Sequence, residues 1–124
     1  MSSIADVSFR AHELVTKAFI EFDPSDIVVQ RKQKQDDGAG GTFVVDPDKK
    51  EVPQHVRIVA QVQPRTIVTQ DGRDAQVSAV VVGLSDFDVE EGDTFTDAKK
   101  GTFGVVGVSR IPTWRVEAQV EALA

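Results

Sequence analysis

The sequence predicts a mainly β fold, a small antiparallel barrel or sandwich with one N-terminal amphipathic helix and long projecting hairpin loops. Three observations carry this expectation. Valine dominates the apolar residues, with 21 of them in 124, and its stiff, β-branched side chain suits a pleated, half-buried surface. Turn signals recur every roughly 8–12 residues after Pro24, the spacing of a meander of short strands. One helical stripe stands before them.

That helix is expected over residues 2–22. Ser3 can cap it, with Asp6 placed three positions on as in a capping box. Ile4, Val7, Ala11, Leu14, Val15, Ala18, Phe19 and Phe22 form an apolar stripe, and Arg10, Glu13, Thr16, Lys17 and Glu21 occupy the other side. Pro24 ends it, because a residue before proline is pushed out of the α region. Such a stripe cannot be buried by one helix alone, so it must lie on the sheet or on a neighbouring subunit.

From Ile27 the pattern reads as strand and turn. Val28, Gln30 and Lys32 alternate with Ile27, Val29 and Arg31, the tip Asp36-Asp37-Gly38-Ala39-Gly40-Gly41 breaks the strand, and Thr42–Val45 returns. Asp46–Pro53 is a charged loop. His55–Gln63 alternates again and Pro64 marks its end or an edge position. Thr66–Thr69 and Gln76–Gly83 flank Gln70-Asp71-Gly72-Arg73, whose Asp-Gly step signals a hairpin. The apolar run Val77–Val82 predicts the most buried strand. Glu90–Asp93 reads as a turn, Thr94–Thr96 as a short strand, and Ala98–Gly101 as a tight connection. Phe103–Ser109 is a further strand that Pro112 breaks. Trp114–Val120 fits either a last strand or a short helix. With no linker and no internal repeat, residues 1–124 read as one domain, the helix 2–22 with a β-barrel over 27–120.

Composition excludes several functions. The net charge of −6 disfavours general nucleic-acid affinity, which rests on neutralising phosphates. The chain contains no cysteine, which removes disulfides, thiolate metal sites and thiol nucleophiles. No apolar run approaches the ~18 residues of a membrane span and the first residues have no signal-peptide character, so the chain reads as soluble and made in the cytoplasm. His12 and His55 lie on different elements without a third ligand, so neither zinc nor another metal is expected, and both imidazoles read as solvated. Asp86, Asp88, Glu90, Glu91 and Asp93 cluster, but their spacing does not fit a calcium loop, and an acidic turn of this kind reads as solvent-facing. Gly38–Gly41 lacks the Lys-Ser/Thr ending and the following helix of a phosphate loop. Ser78, Ser85 and Ser109 have no local histidine partner and no nucleophile-elbow sequence. No catalytic residue and no cofactor are therefore expected, and the chain does not read as an enzyme. The basic spots Arg31-Lys32-Lys34, Lys49-Lys50 and Lys99-Lys100 are interrupted by acids and read as solvated faces or subunit contacts.

Three motifs in order point further. Val29-Gln30-Arg31 with Asp37-Gly38-Ala39-Gly40-Gly41, then Val62-Gln63-Pro64, then Gly92-Asp93-x-Phe95 with Lys100-Gly101-Thr102-Phe103-Gly104-Val105 and Gly107-Val108, together resemble the head–tail joining and head-closure (stopper) proteins of long-tailed bacteriophages. The resemblance spans residues 27–110. Two departures stand out: Arg65–Gly83 forms a compact hairpin where many relatives carry a longer segment, and the N-terminal helix is longer than the family's usual leader.

The resemblance implies a structural virion protein of the phage neck. Such a protein forms a homo-oligomeric ring, closes the DNA channel after packaging and offers the tail its docking surface. Implied partners are other copies of the chain, portal or adaptor proteins on the head side, and tail terminator or tail-tube proteins on the tail side. Packaged DNA would be touched only sterically, and no membrane is involved. The residues implied as subunit-contact or channel loops are Gln33, Lys34, Asp36, Asp37, Gly38, Gly40 and Gly41 of the first tip. Asp48, Lys49 and Lys50 of the next loop and Gln70, Asp71, Gly72, Arg73 and Asp74 of the later hairpin join them. Another neck ring, such as a tail terminator or head–tail adaptor, is an alternative. From a different class, so is a small β-barrel binding a polymer, which would need an exposed aromatic platform.

Overall fold

The computed structural model describes residues 4–35, 42–45, 52–69 and 72–123. Helix α1 spans Ile4–Phe22, and eight strands follow: β1 Ser25–Ile27, β2 Lys32–Gln35, β3 Thr42–Val45, β4 Gln54–Val68, β5 Asp74–Leu84, β6 Thr94–Asp97, β7 Gly101–Ser109 and β8 Arg115–Ala122. Six of them form one antiparallel sheet in the order β1-β4-β5-β8-β7-β6, while β2 and β3 pair only with each other. The sheet curls until its ends meet. Gln30, just after β1, and Thr94, which opens β6, exchange two backbone hydrogen bonds of 2.7 and 2.9 Å. The result is a nearly closed barrel.

Alternation fills the interior. Val56 and Ile58 of β4, Ala79 and Val81 of β5, Phe103 and Val105 of β7, and Val116, Ala118 and Val120 of β8 turn inward, as the two-residue period of a strand requires. Phe95 from β6 packs against Phe103 with ring centroids 5.5 Å apart. Phe87 and Val89, from the stretch between β5 and β6, plug the same core. Gly83 makes room for Phe87, since a Cβ there would stand 2.6 Å from that side chain. A smaller cluster of Ala75, Val77 and Val106 lies towards the far end of the β4–β5 hairpin.

Sequence and structure differ in informative places. The alternating run expected to continue from Ile27 to Lys32 is split. Ile27 belongs to the barrel in β1, Gln30 makes the closing bridge, and only from Lys32 does the chain enter the separate hairpin. Pro64 does not end its strand. It falls where the β4–β5 register shifts, five steps along β4 from Ala60 to Arg65 against two along β5 from Ala79 to Val77. A proline missing its N–H is tolerated at such an irregularity. Arg115–Ala122 resolves the open C-terminal pattern as strand, because it pairs on both sides, with β5 and with β7. β5 is central and carries an almost unbroken buried face, as its apolar run predicts. The hairpin expected here is also present as the β4–β5 pair, with Gly72 at a φ of +84°, a conformation glycine adopts without a Cβ clash.

The helix departs most. α1 lies beside the outer face of β4, where Arg57 stacks 4.2 Å over the Phe19 ring and 5.5 Å from that of Phe22. His12 stacks on Trp114 with centroids 4.2 Å apart. The residues facing inward are Thr16 and Ile20, with Phe9 and Glu13 half-buried beside them. The apolar stripe points the other way: Val7, Leu14, Val15 and Phe22 are all exposed. Thr16 tolerates burial because its hydroxyl donates to the His12 carbonyl at 2.9 Å, which satisfies the polar group within the helix.

Candidate functional site

The projecting hairpin and its root form the first feature. Where β1 gives way to β2, Arg31 turns its guanidinium onto the acidic stretch between β5 and β6. Its Nε donates to Asp93 Oδ1 at 3.0 Å and its Nη2 to Asp93 Oδ2 at 2.9 Å. Nη2 also reaches Asp88 Oδ1 at 3.1 Å, and Glu90 Oε2 lies 3.5 Å from Nε. Asp93 is 2% exposed at its side chain, and the Glu90 amide donates to its Oδ2 at 2.7 Å. A planar guanidinium gripping a buried carboxylate with two parallel bonds is the strong form of this interaction. Hydrogen bonding to Asp93, opposed by burial and reinforced by Asp88 and Glu90, raises the Arg31 pKa, so the cation does not titrate.

Asp93 is therefore built into the fold, which corrects its reading as part of a solvated turn, whereas Asp86, Asp88 and Glu90 of the same stretch are exposed as read. The stretch is held from other sides too. Gln54 exchanges a pair of hydrogen bonds with the Asp88 backbone, at 2.6 and 3.0 Å, and Arg110 Nη2 donates to the Val89 carbonyl at 2.7 Å. Arg31, expected on a solvated face or at a subunit contact, instead pairs with Asp93, Asp88 and Glu90 of this stretch. No local motif announces the pair of Arg31 and Asp93, because 62 residues separate its members. Lys100 is likewise engaged, donating to Asp23 at 3.2 Å and to the Ile58 carbonyl at 3.1 Å.

The second feature is the far end of the β4–β5 hairpin. The Thr69 amide donates to the Arg73 carbonyl at 2.8 Å, and Thr69 Oγ1 accepts from the Arg73 amide at 3.1 Å. Arg73 Nη2 reaches Glu121 on β8 at 2.8 Å. This turn is thus tied across β8, with Gly72, Arg73 and Asp74 exposed. Of the other sequence-derived loop residues, Gln33 and Lys34 pair with Val44 and Phe43 in the β2–β3 ladder. Asp36, Asp37, Gly38, Gly40, Gly41, Asp48, Lys49, Lys50, Gln70 and Asp71 lie outside the described residues, as does the capping residue Ser3.

Between α1 and the barrel runs a groove of about 750 Å³ lined by Ile20, Val52, Pro53, Leu84 and Phe87, with Lys17, Glu21, His55, Asp86 and Asp88 at its polar parts. His55 stands at the edge, its Nδ1 2.7 Å from Asp26 and its Nε2 against Glu21. Hydrogen bonds to Asp26 first, and then Glu21, raise its pKa. The imidazole is half-exposed but engaged at both nitrogens, whereas the sequence reading left it solvated. His12 Nδ1–H donates to the Ser8 carbonyl at 2.7 Å. Among the described residues no three His, Asp or Glu side chains are grouped to hold a metal ion. Among those residues, too, no helix is long and apolar enough to cross a membrane.

Comparison with known proteins finds no matching family model and no matching curated protein.

Proposed function

We propose that this chain is a structural protein of the phage neck, a ring-forming stopper that closes the DNA channel after packaging and gives the tail its docking surface. One observation supports this reading most directly. The β2–β3 hairpin is excluded from the barrel sheet and clamped at its root by Arg31 and Asp93. A rigid body with an arm fixed at its base is what a ring subunit needs to reach its neighbour or to obstruct a channel. The ordered motifs in residues 27–110 supply the rest of the support. The polymer-binding alternative is weakened, since Phe87, Phe95 and Phe103 are spent in the core and Trp114 stacks on His12. A net charge of −6 suits a channel that blocks DNA without adhering to it.

Imaging the neck of intact particles tests the proposal. The chain is expected as a ring between portal and tail, with either the 33–41 tip or the 70–74 turn pointing towards the axis. Both tips on the outer surface of the ring would sink the channel-closing role. Particles whose chain lacks residues 36–41 are expected to package DNA and then lose it. Normal retention, with only tail length altered, would instead indicate a terminator.

A further inference from the structure

The outward stripe of α1 has a specific order. Val7, Ala11, Leu14, Val15, Ala18 and Phe22 fall within an arc of roughly 100° at 3.6 residues per turn. Thr16 and Ile20, the buried anchors, sit on the opposite side. The chain's own barrel therefore cannot cover the stripe. Leu14 is 64%, Val15 68% and Phe22 84% exposed, and Ala11 and Ala18 are exposed between them. Counted inward from its two ends, the stripe is matched with itself: Val7 answers Phe22, Ala11 answers Ala18, and Leu14 answers Val15.

We infer that the stripe is a self-association surface, on which α1 of a second copy lies antiparallel with a twofold axis between positions 14 and 15. In that arrangement the small Val7 meets the large Phe22 at both ends. The two alanine layers let the helices approach, and Leu14 and Val15 fill the centre. Such an isologous contact uses one patch twice. Each copy would contribute roughly 600 Å² of mostly apolar surface, so the pair buries about 1,200 Å², the lower end of stable specific interfaces. A membrane is the poorer occupant. Arg10 and Lys17 on the helix are offset by Glu13 and Glu21, whereas helices that lie on anionic lipid carry a basic polar face. This contact stands apart from the ring proposed above, which would be built by the loops, and either can fail alone.

The test uses the purified full-length chain. Sedimentation equilibrium should show a monomer–dimer transition, and Leu14→Glu should weaken dimerisation at least tenfold while leaving the circular dichroism spectrum unchanged, since Leu14 touches solvent in the monomer. The absence of native cysteine allows orientation to be read by cross-linking. A mixture of Ala11→Cys and Ala18→Cys chains should form a disulfide-linked heterodimer on oxidation, with little linkage in either variant alone. A monomer at all concentrations would overturn the proposal. So would efficient Ala11→Cys linkage by itself, which signals parallel helices, or dimerisation indifferent to Leu14→Glu. Co-sedimentation with anionic phosphatidylserine vesicles that Leu14→Glu abolishes, in the absence of a dimer, would assign the stripe to lipid instead.

Discussion

Two charge clusters fasten added elements to the same barrel, and they differ in depth. At the root of the β2–β3 hairpin, Arg31 grips a carboxylate that is almost wholly buried and draws in Asp88 and Glu90. At the base of α1, His55 bridges Glu21 and Asp26, with 46% of its side chain exposed and both partners more so. Breaking the first strands a buried charge, and water cannot replace the lost partner. Breaking the second costs little, because solvent takes over. The hairpin is therefore anchored by electrostatics, while the helix is held mainly by Ile20, by Arg57 over Phe19 and by His12 on Trp114.

The largest expected effect is at Asp93. Asp93→Ala should lower stability by about 3 kcal/mol in urea unfolding, since it removes the two-bond grip on the half-buried guanidinium, leaves it only the exposed Asp88 and Glu90 carboxylates, and orphans the Glu90 amide. A loss below about 1 kcal/mol would erase the distinction between the clusters. Next comes Ile20→Ala, which should cost about 2–3 kcal/mol through the cavity it leaves under the helix. If His55→Ala proved more damaging than Ile20→Ala, the helix would be electrostatically held after all. His55→Ala should cost at most about 1 kcal/mol, and with a pH signature. The folded pKa of His55 lies above its ordinary value of 6.5, so its stabilisation is complete below 6.5 and is lost as pH rises through the folded pKa. Wild type and variant should therefore converge in alkaline buffer. Arg31, which stays protonated, gives no such convergence. Smallest is Glu90→Gln, expected to change stability by about 0.5 kcal/mol or less, because that carboxylate is exposed and the Asp93 grip persists.

Much of the barrel was legible because alternation and turn chemistry are local. The central β5 run, the Asp-Gly hairpin and the short β6–β7 connection follow from period-two patterning and from glycines where the backbone must turn. Phe87 and Val89 were less visible, since they lie in an irregular stretch and are buried only because the barrel end needs filling. Gly72, Arg73 and Asp74 sit on an exposed turn, but the tie from Arg73 to Glu121 spans 48 residues and leaves no local trace.

By itself the sequence determined that there is an amphipathic helix, that valine-rich strands follow it, and where the chain must turn, because these depend on neighbours within a few residues. Only the tertiary structure decided how those pieces meet. It assigned the end of the chain to a strand by supplying a partner on each side. It split the run after Ile27 because the barrel had to close at Gln30 before the hairpin could leave. It also buried Asp93 against Arg31 and turned the apolar stripe of α1 away from the barrel. Each of these depends on residues far apart in the chain, whose free energy of contact is set by burial and geometry that no local pattern encodes.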